Sequence, residues 1–242
     1  MFRLWWIAGL LGFGAGVASA EVYPSLRVGV ESDYVFRGQQ RAEASAQASF
    51  ELASDSAYGF VWTNQPLEES AGEEYNFFGG YLIEANPLLT LDLLGGVYYY
   101  PDEDSRRRGE EATYELGVGL FGELPVAKTT FYPRLYLFYD LELEDVTVEA
   151  SIAHRSGLSE RASLDLALDA GFVSLGQAAV SPKGESSDRY GYAQATADLV
   201  LRISDYVSAS AGVRASAVTD AETHNEGDEM EFWAGASIQA RF

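Results

Sequence analysis

The sequence predicts an all-β fold, a transmembrane antiparallel up-and-down β-barrel of about 12 strands preceded by a cleaved signal peptide. Three observations carry this prediction. The chain opens on an export-type leader, alternating apolar and polar segments recur along it, and the last such segment ends on the aromatic Phe242. A barrel in lipid needs these features, because its outer wall must be apolar and no sheet edge can stay unpaired.

The leader comes first. Arg3 supplies the positive charge, residues 4–17 form an apolar, glycine-rich stretch, and Ala18-Ser19-Ala20 supplies the small residues that precede a cleavage point. Residues 1–20 are therefore assigned to the signal peptide and 21–242 to the barrel. A retained membrane helix is the competing reading, but the stretch is short for a bilayer and rich in glycine.

Twelve period-two segments follow, at 23–37, 45–52, 58–64, 75–84, 88–100, 112–121, 131–141, 145–154, 162–173, 190–203, 207–218 and 229–242. In the first, Val28, Val30, Tyr34 and Phe36 fall on the face expected to meet lipid, and Arg27, Glu31, Asp33 and Arg37 on the other. In the last, Phe232 to Phe242 at every second position is apolar or small, and the alternate positions are mostly polar. An even strand number returns both termini to one side.

The connections alternate in length, which orients the barrel. Longer polar ones run through 38–44, 64–74, 100–111, 174–189 and 219–228, with short turns at 53–57, 85–87 and 204–206 between them. With the N-terminus in the periplasm, every long connection faces outward. Tyr34, Phe36, Trp62, Tyr75, Phe77, Tyr99, Tyr139 and Phe232 then fall near the outer interface, and Tyr23, Phe131 and Phe242 near the inner one, as an aromatic belt would. A soluble β-sandwich with the same aromatics in its core is the alternative that period two alone leaves open.

Composition excludes several function classes. There is no Cys, so no disulfide staples the fold. Without the leader and its Arg3, 15 basic residues stand against 37 acidic ones, a net charge of −22. Nucleic acid and anionic surfaces are poor partners for such a chain. No zinc spacing or phosphate-cradling glycine loop is present, so neither cofactor nor metal is expected.

The string Ser32-Asp33-Tyr34-Val35-Phe36-Arg37-Gly38 resembles the first strand of the TorF-like porins of proteobacteria, an uncharacterised exported family. Length, leader, Gly and Tyr content and the terminal Phe agree with it. Gln39-Gln40-Arg41 departs from the family pattern, which commonly has an apolar residue and a serine after the glycine. The resemblance implies an outer-membrane barrel of a Gram-negative bacterium and carries no catalytic or ligand residues with it. Outer-membrane lipid, lipopolysaccharide, the barrel-assembly machinery and small polar solutes are the partners expected, with Phe242 as the assembly signal.

Candidate pore-lining residues are those on the inner face: Arg27, Glu31, Asp33, Arg37, Arg134, Asp165, Asp169, Asp198 and Arg214. Acids outnumber bases among the wider set of inner positions, which favours cations if the lumen conducts. Arg37 reads either as a pore charge or as a member of an internal salt bridge that fixes register. One hydrolase-like arrangement exists. His154 and Ser156 share a face at the spacing seen in outer-membrane lipid esterases, with Glu160 and Asp165 nearby, but Gly157-Leu158 replaces the Asn-Gly that often follows. A non-conducting structural barrel is a third reading. Two loops invite ligands as well: His224 sits in an acidic run lacking the glycine of a calcium loop, and Arg106-Arg107-Arg108 could touch lipopolysaccharide phosphates.

Overall fold

A computed structural model describes residues 21–68, 72–102, 107–180, 184, 186–225 and 228–242. The assigned signal peptide lies outside the described residues. Twelve strands form the wall: β1 (Tyr23–Glu31), β4 (Ser45–Ala53), β5 (Ala57–Pro66), β6 (Glu74–Asn86), β7 (Leu89–Tyr99), β8 (Ala112–Gly122), β10 (Thr129–Asp140), β11 (Val146–Gly157), β12 (Ala162–Val180), β13 (Ser186–Arg202), β14 (Val207–Val218) and β15 (Met230–Arg241). Each pairs antiparallel with its neighbours, and β15 returns to β1 from Ser25↔Arg241 to Glu31↔Gly235. The sheet is closed. Closure gives backbone N–H and C=O groups along the wall partners inside the sheet, the condition for crossing hydrocarbon.

Period two decides what meets lipid. Outward positions include Val28 and Val30 on β1, Phe50 on β4, Leu93 on β7, Leu116 and Val118 on β8 and Leu137 on β10, all substantially exposed. Among the described outward positions of the wall, the acidic or basic side chains are His154 on β11 and Arg189 on the projecting end of β13. Charge is turned inward. Apolar area that a soluble protein would hide here forms a band around the barrel, which only a bilayer stabilises.

The ends differ. Short turns at 54–56, 87–88, 158–161 and 203–206 share an end with Tyr23 and Arg241, while the longer connections lie at the opposite end, as the sequence predicts. The connection at 174–189 is not a polar loop but a hairpin. β12 and β13 run to 19 and 17 residues, against the roughly 9–11 that span a membrane. Their pairing shifts between Ser174 and Ala179 and resumes at Ala179↔Ser187. Beside the inner mouth, β9 (Leu124–Val126) folds back on the start of β10.

The first strand departs most from expectation. It ends at Glu31 rather than running to residue 37: Ser32 N–H still donates to Ala234 O at 2.8 Å, but Ala234 N–H donates back to the side-chain Oγ of Ser32 at 3.1 Å, and the chain then bends away from the wall. Residues beyond it form a small second sheet, β2 (Tyr34–Phe36) and β3 (Gln39–Ala42), closed by Arg37 and Gly38 with φ of 51° and 82°. Two consecutive positive φ angles define the tight turn whose twist suits a two-residue hairpin. The hairpin lies inside the barrel. Tyr34, Val35 and Arg37 are buried, and Tyr34, Phe36 and Trp62 are therefore not part of an outer aromatic belt. Phe77, Tyr99, Tyr139 and Phe232 do face outward.

Candidate functional site

The lumen has an outer filled half and an inner wet half. In the outer half, the hairpin tip reaches across to the far wall, where Arg37 meets Glu115 of β8 at 2.8 Å. Its guanidinium lies 4.9 Å from the Phe36 ring centre and 5.1 Å from that of Phe138. A cation held between two rings and a carboxylate keeps favourable partners although water is excluded. Tyr98 OH donates to the same Glu115 at 2.9 Å. On the other side, a Cβ added to Gly38 would stand 2.6 Å from Tyr192 Cβ, so only glycine fits against β13 there.

Further ties hold the hairpin at its base. Tyr34 OH donates to Glu74 at 3.1 Å, its ring lies 5.3 Å from that of Trp62, and the Gln40 N–H donates to Asn225 Oδ1 at 2.9 Å. Asn225 follows α1 (Ala221–His224), a single helical turn in the connection between β14 and β15. Around the plug, inward tyrosines pack on strands relieved by glycine: a Cβ on Gly80 would meet the Tyr58 ring at 2.5 Å. Tyr58 and Tyr136 both donate to the buried carboxylate of Asp92, at 3.0 and 2.9 Å. Tyr98, Tyr136, Glu115 and Asp92 are all at most 1% exposed, so these side chains fill the part of the lumen they enter.

The inner half keeps a water-sized space. A vestibule of about 520 Å³ opens toward the inner mouth, lined by Arg27, Arg155, Asp165, Asp198, Arg214 and Arg241 among others. Arg155 grips Asp165 through two hydrogen bonds, at 2.8 and 2.6 Å, the fork geometry that suits guanidinium and carboxylate. Arg214 reaches Asp198 at 3.0 Å and Glu31 at 3.5 Å. Above the vestibule a smaller chamber of about 60 Å³ lies beneath the hairpin, and Arg27 and Ser237, themselves bonded at 2.9 Å, line both spaces.

The sequence-selected residues thus separate into groups. Arg27, Glu31, Asp165, Asp198 and Arg214 gather around the inner chamber and vestibule, and Arg134 and Asp169 turn inward on β10 and β12. Arg37 is inside, but as the tip of the plug rather than as the end of a wall strand. Asp33 does not line a wall. It sits in the bend before β2, accepting from Ser32 Oγ and Gln40 Nε2, both at 2.8 Å. Arg107 and Arg108 turn to Asp140 and Asp145 at the outer rim instead of reaching outward, and Arg106 lies outside the described residues.

The hydrolase-like residues stand apart from their carboxylate. His154 and Ser156 occupy outward positions of β11, and His154 Nδ1 lies 3.0 Å from Thr130 O. Asp165 is on the inner face, held by Arg155. The aromatic plug was the main omission from sequence reasoning. Its signal is the run Tyr58-x-Phe60-x-Trp62 on one face of β5 with Val61 on the other, a strand apolar on both sides.

Comparisons with known proteins agree with this architecture. The family model described as a bacterial protein of unknown function (Gcw_chp) matches residues 15–130. No curated protein matches the sequence. Among solved structures, the COG4313 outer membrane channel from Pseudomonas putida F1 superposes with a TM-score of 0.56 at 10% identity, covering 94% of this chain and 97% of that one. The NanC porin gives 0.54 at 10% identity over 90% and 98%, and LpxR from Salmonella typhimurium 0.53 at 11% over 89% and 99%. Identities this low speak to fold alone. The chain is an all-β, 12-stranded, antiparallel closed barrel resembling those of outer-membrane channels.

Proposed function

We propose that the protein is a TorF-like porin of the Gram-negative outer membrane, a channel for small polar solutes that the inserted hairpin holds shut and that opens when the hairpin withdraws. The observation that carries this reading is the inversion of polarity: charge lines the bore, and the exterior is apolar. A purely structural barrel has no use for a vestibule of about 520 Å³ lined by arginines and carboxylates. Polar contacts at its tip and base and ring contacts along its length pin the plug, so a solute that opens it must favour the withdrawn state by more than these contacts contribute.

Inward acids include Glu31, Glu51, Asp92, Glu115, Glu149, Asp165, Asp169 and Asp198, a majority over the inward arginines Arg27, Arg134, Arg155, Arg202, Arg214 and Arg241. That majority supports a preference for cations. The reading gives the protein no enzymatic role, and Phe242 is its signal to the barrel-assembly machinery. Single-channel recording of the refolded chain in planar bilayers tests it. Deleting residues 33–41 should raise conductance several-fold, with reversal potentials in a salt gradient on the cation side and more so at low salt. A parent and a deletion variant that are both silent would reject the channel. Anion selectivity would reject the charge argument.

A further inference from the structure

On the outward face of β13 and β14 the side chains are small where the flanking strands carry bulk. Three successive outward rows lie in register there. The first sets Leu166 beside Ala197, the second runs through Leu168, Ala195, Ala215 and Phe232, and the third through Ala170, Ala193 and Ala217. Alanines thus floor a trough with Ile152 and Leu168 on one flank and Phe232 on the other. Two adjoining hollows of about 900 and 600 Å³ share Ile152, Leu168, Ala195 and Ala215, so the trough is continuous. Successive outward rows are about 6.7 Å apart, so three of them cover roughly 13 Å, close to the ~15 Å of one hydrocarbon leaflet.

The lower end of the trough is polar. His154 lies in register with Leu166 and lines the hollow at its end nearer the inner mouth. Its Nδ1 is 3.0 Å from Thr130 O, and a carbonyl only accepts, so Nδ1–H is the donor and the neutral ring offers Nε2 as an acceptor. The Phe131 ring packs against the imidazole with ring centres 5.3 Å apart. Among the described residues Nε2 has no hydrogen-bond partner, yet it is not sealed off as His224 Nε2 is. Hydrocarbon supplies no donor, so this acceptor calls for one from a lipid headgroup.

We propose that the trough binds one phospholipid of the leaflet nearest the inner mouth, with a headgroup that donates hydrogen bonds, as phosphatidylethanolamine does. An acyl chain lies on Ala195 and Ala215 between Leu168 and Phe232, and the ammonium group donates to His154 Nε2. Choline has no N–H and cannot make that bond. The alanine floor lets the chain sit between two flanks, where the wall around Leu93, Leu116 and Leu137 offers a surface of protruding side chains. The site needs the wall to lie in a bilayer but is independent of whether the barrel conducts.

Native mass spectrometry tests the assignment, with the refolded barrel released from detergent that holds equal amounts of dioleoyl phosphatidylethanolamine and dioleoyl phosphatidylcholine. These lipids share chains and net charge and differ in N–H donors. The parent should retain roughly five times more of the ethanolamine lipid, the discrimination one hydrogen bond gives. His154→Phe should bring the ratio close to parity, and Ala195→Phe, which fills the trough, should lower retention of both lipids about as much. Both substitutions put an apolar ring on a lipid-facing position, and heat-modifiable migration checks that each barrel forms. Should one not form, the parent's ratio and the other variant decide. Equal retention in the parent, an unchanged ratio in His154→Phe, or undiminished retention in Ala195→Phe would overturn the proposal. So would a lipid-free dimer, which gives the face to a second copy of the chain, or release of lysophospholipid, which makes His154 part of a hydrolase.

Discussion

Arg37 and Glu115 form a 2.8 Å ion pair across the lumen, with side chains 6% and 1% exposed, one at the tip of the hairpin and the other in the wall. Removing one member of a buried pair leaves the other charge unsolvated, at about 3–5 kcal/mol if water stays out. In a barrel, water can instead enter as the hairpin leaves. Glu115→Gln should therefore raise open probability severalfold in planar bilayers with little change in urea unfolding of the wall. A lowered unfolding midpoint without new openings would assign the pair to stability alone.

Gly38 offers an independent way to dislodge the plug. Its φ is +82° and a Cβ there would lie 2.6 Å from Tyr192 Cβ. Gly38→Ala combines a left-handed backbone penalty of about 1–2 kcal/mol with that clash. Trypsin should then cleave at Arg37 or Arg41 at least tenfold faster than in the parent, read by mass spectrometry of intact liposomes. Equal protection in both proteins would show that the tip relaxes without leaving.

The outer connection gives the plug a pH dependence. His224 is buried against Tyr190, with ring centres 4.5 Å apart, and burial holds its pKa below the ordinary value, with Asp220 opposing the shift. A base depressed in the folded state contributes stability that is present above its unfolded pKa of about 6.5 and lost as pH falls from there through the lower folded one. The α1 turn, and with it the Asn225 anchor of Gln40, should loosen on acidification. The protection factor of the Gln40 amide, its exchange rate taken relative to the intrinsic rate at each pH, should fall between pH 7.5 and pH 5, and His224→Phe should remove most of that fall.

The membrane position of the wall has its own test. Val118 faces outward at mid-strand, between Leu93 and Leu137 in register. Val118→Arg should cost about 2–4 kcal/mol in urea unfolding from lipid bilayers. Gly119, its inward neighbour, supplies no such lipid contact, and a cost near zero at residue 118 would argue against hydrocarbon there.

Delivery should depend on Phe242. Its deletion should lower the amount of heat-modifiable barrel in outer-membrane fractions several-fold, as judged by gel shift, and an unchanged yield would remove its role as a signal.

Much of the wall was legible because period two is a local rule: Val28 and Val30 face out and Arg27 and Glu31 face in whatever lies around them. The same rule misplaces Tyr34 and Phe36. Alternation continues through them, but it is silent on whether a strand runs on in the wall or turns back inside, and Ser32 makes that choice by bonding Ala234. Arg37-Gly38 is a weaker hairpin signal than Asn-Gly, since arginine rarely adopts positive φ. The chamber was half legible. Arg27 and Glu31 could be selected as inward charges, whereas Asn76 and Trp62 join them only through the register of β5 with β6, Trp62↔Asn76.

The pairing of β15 with β1 couples the order of export to the moment of completion. β1 is made first and has one edge bare until the whole intervening sheet has been made. A chain that stalls before β15 leaves two bare edges, on β1 and on β14, which can seek each other out of register or recruit a second chain. Premature termination should therefore be toxic to the envelope rather than merely inactivating, because the damage comes from the strands already delivered.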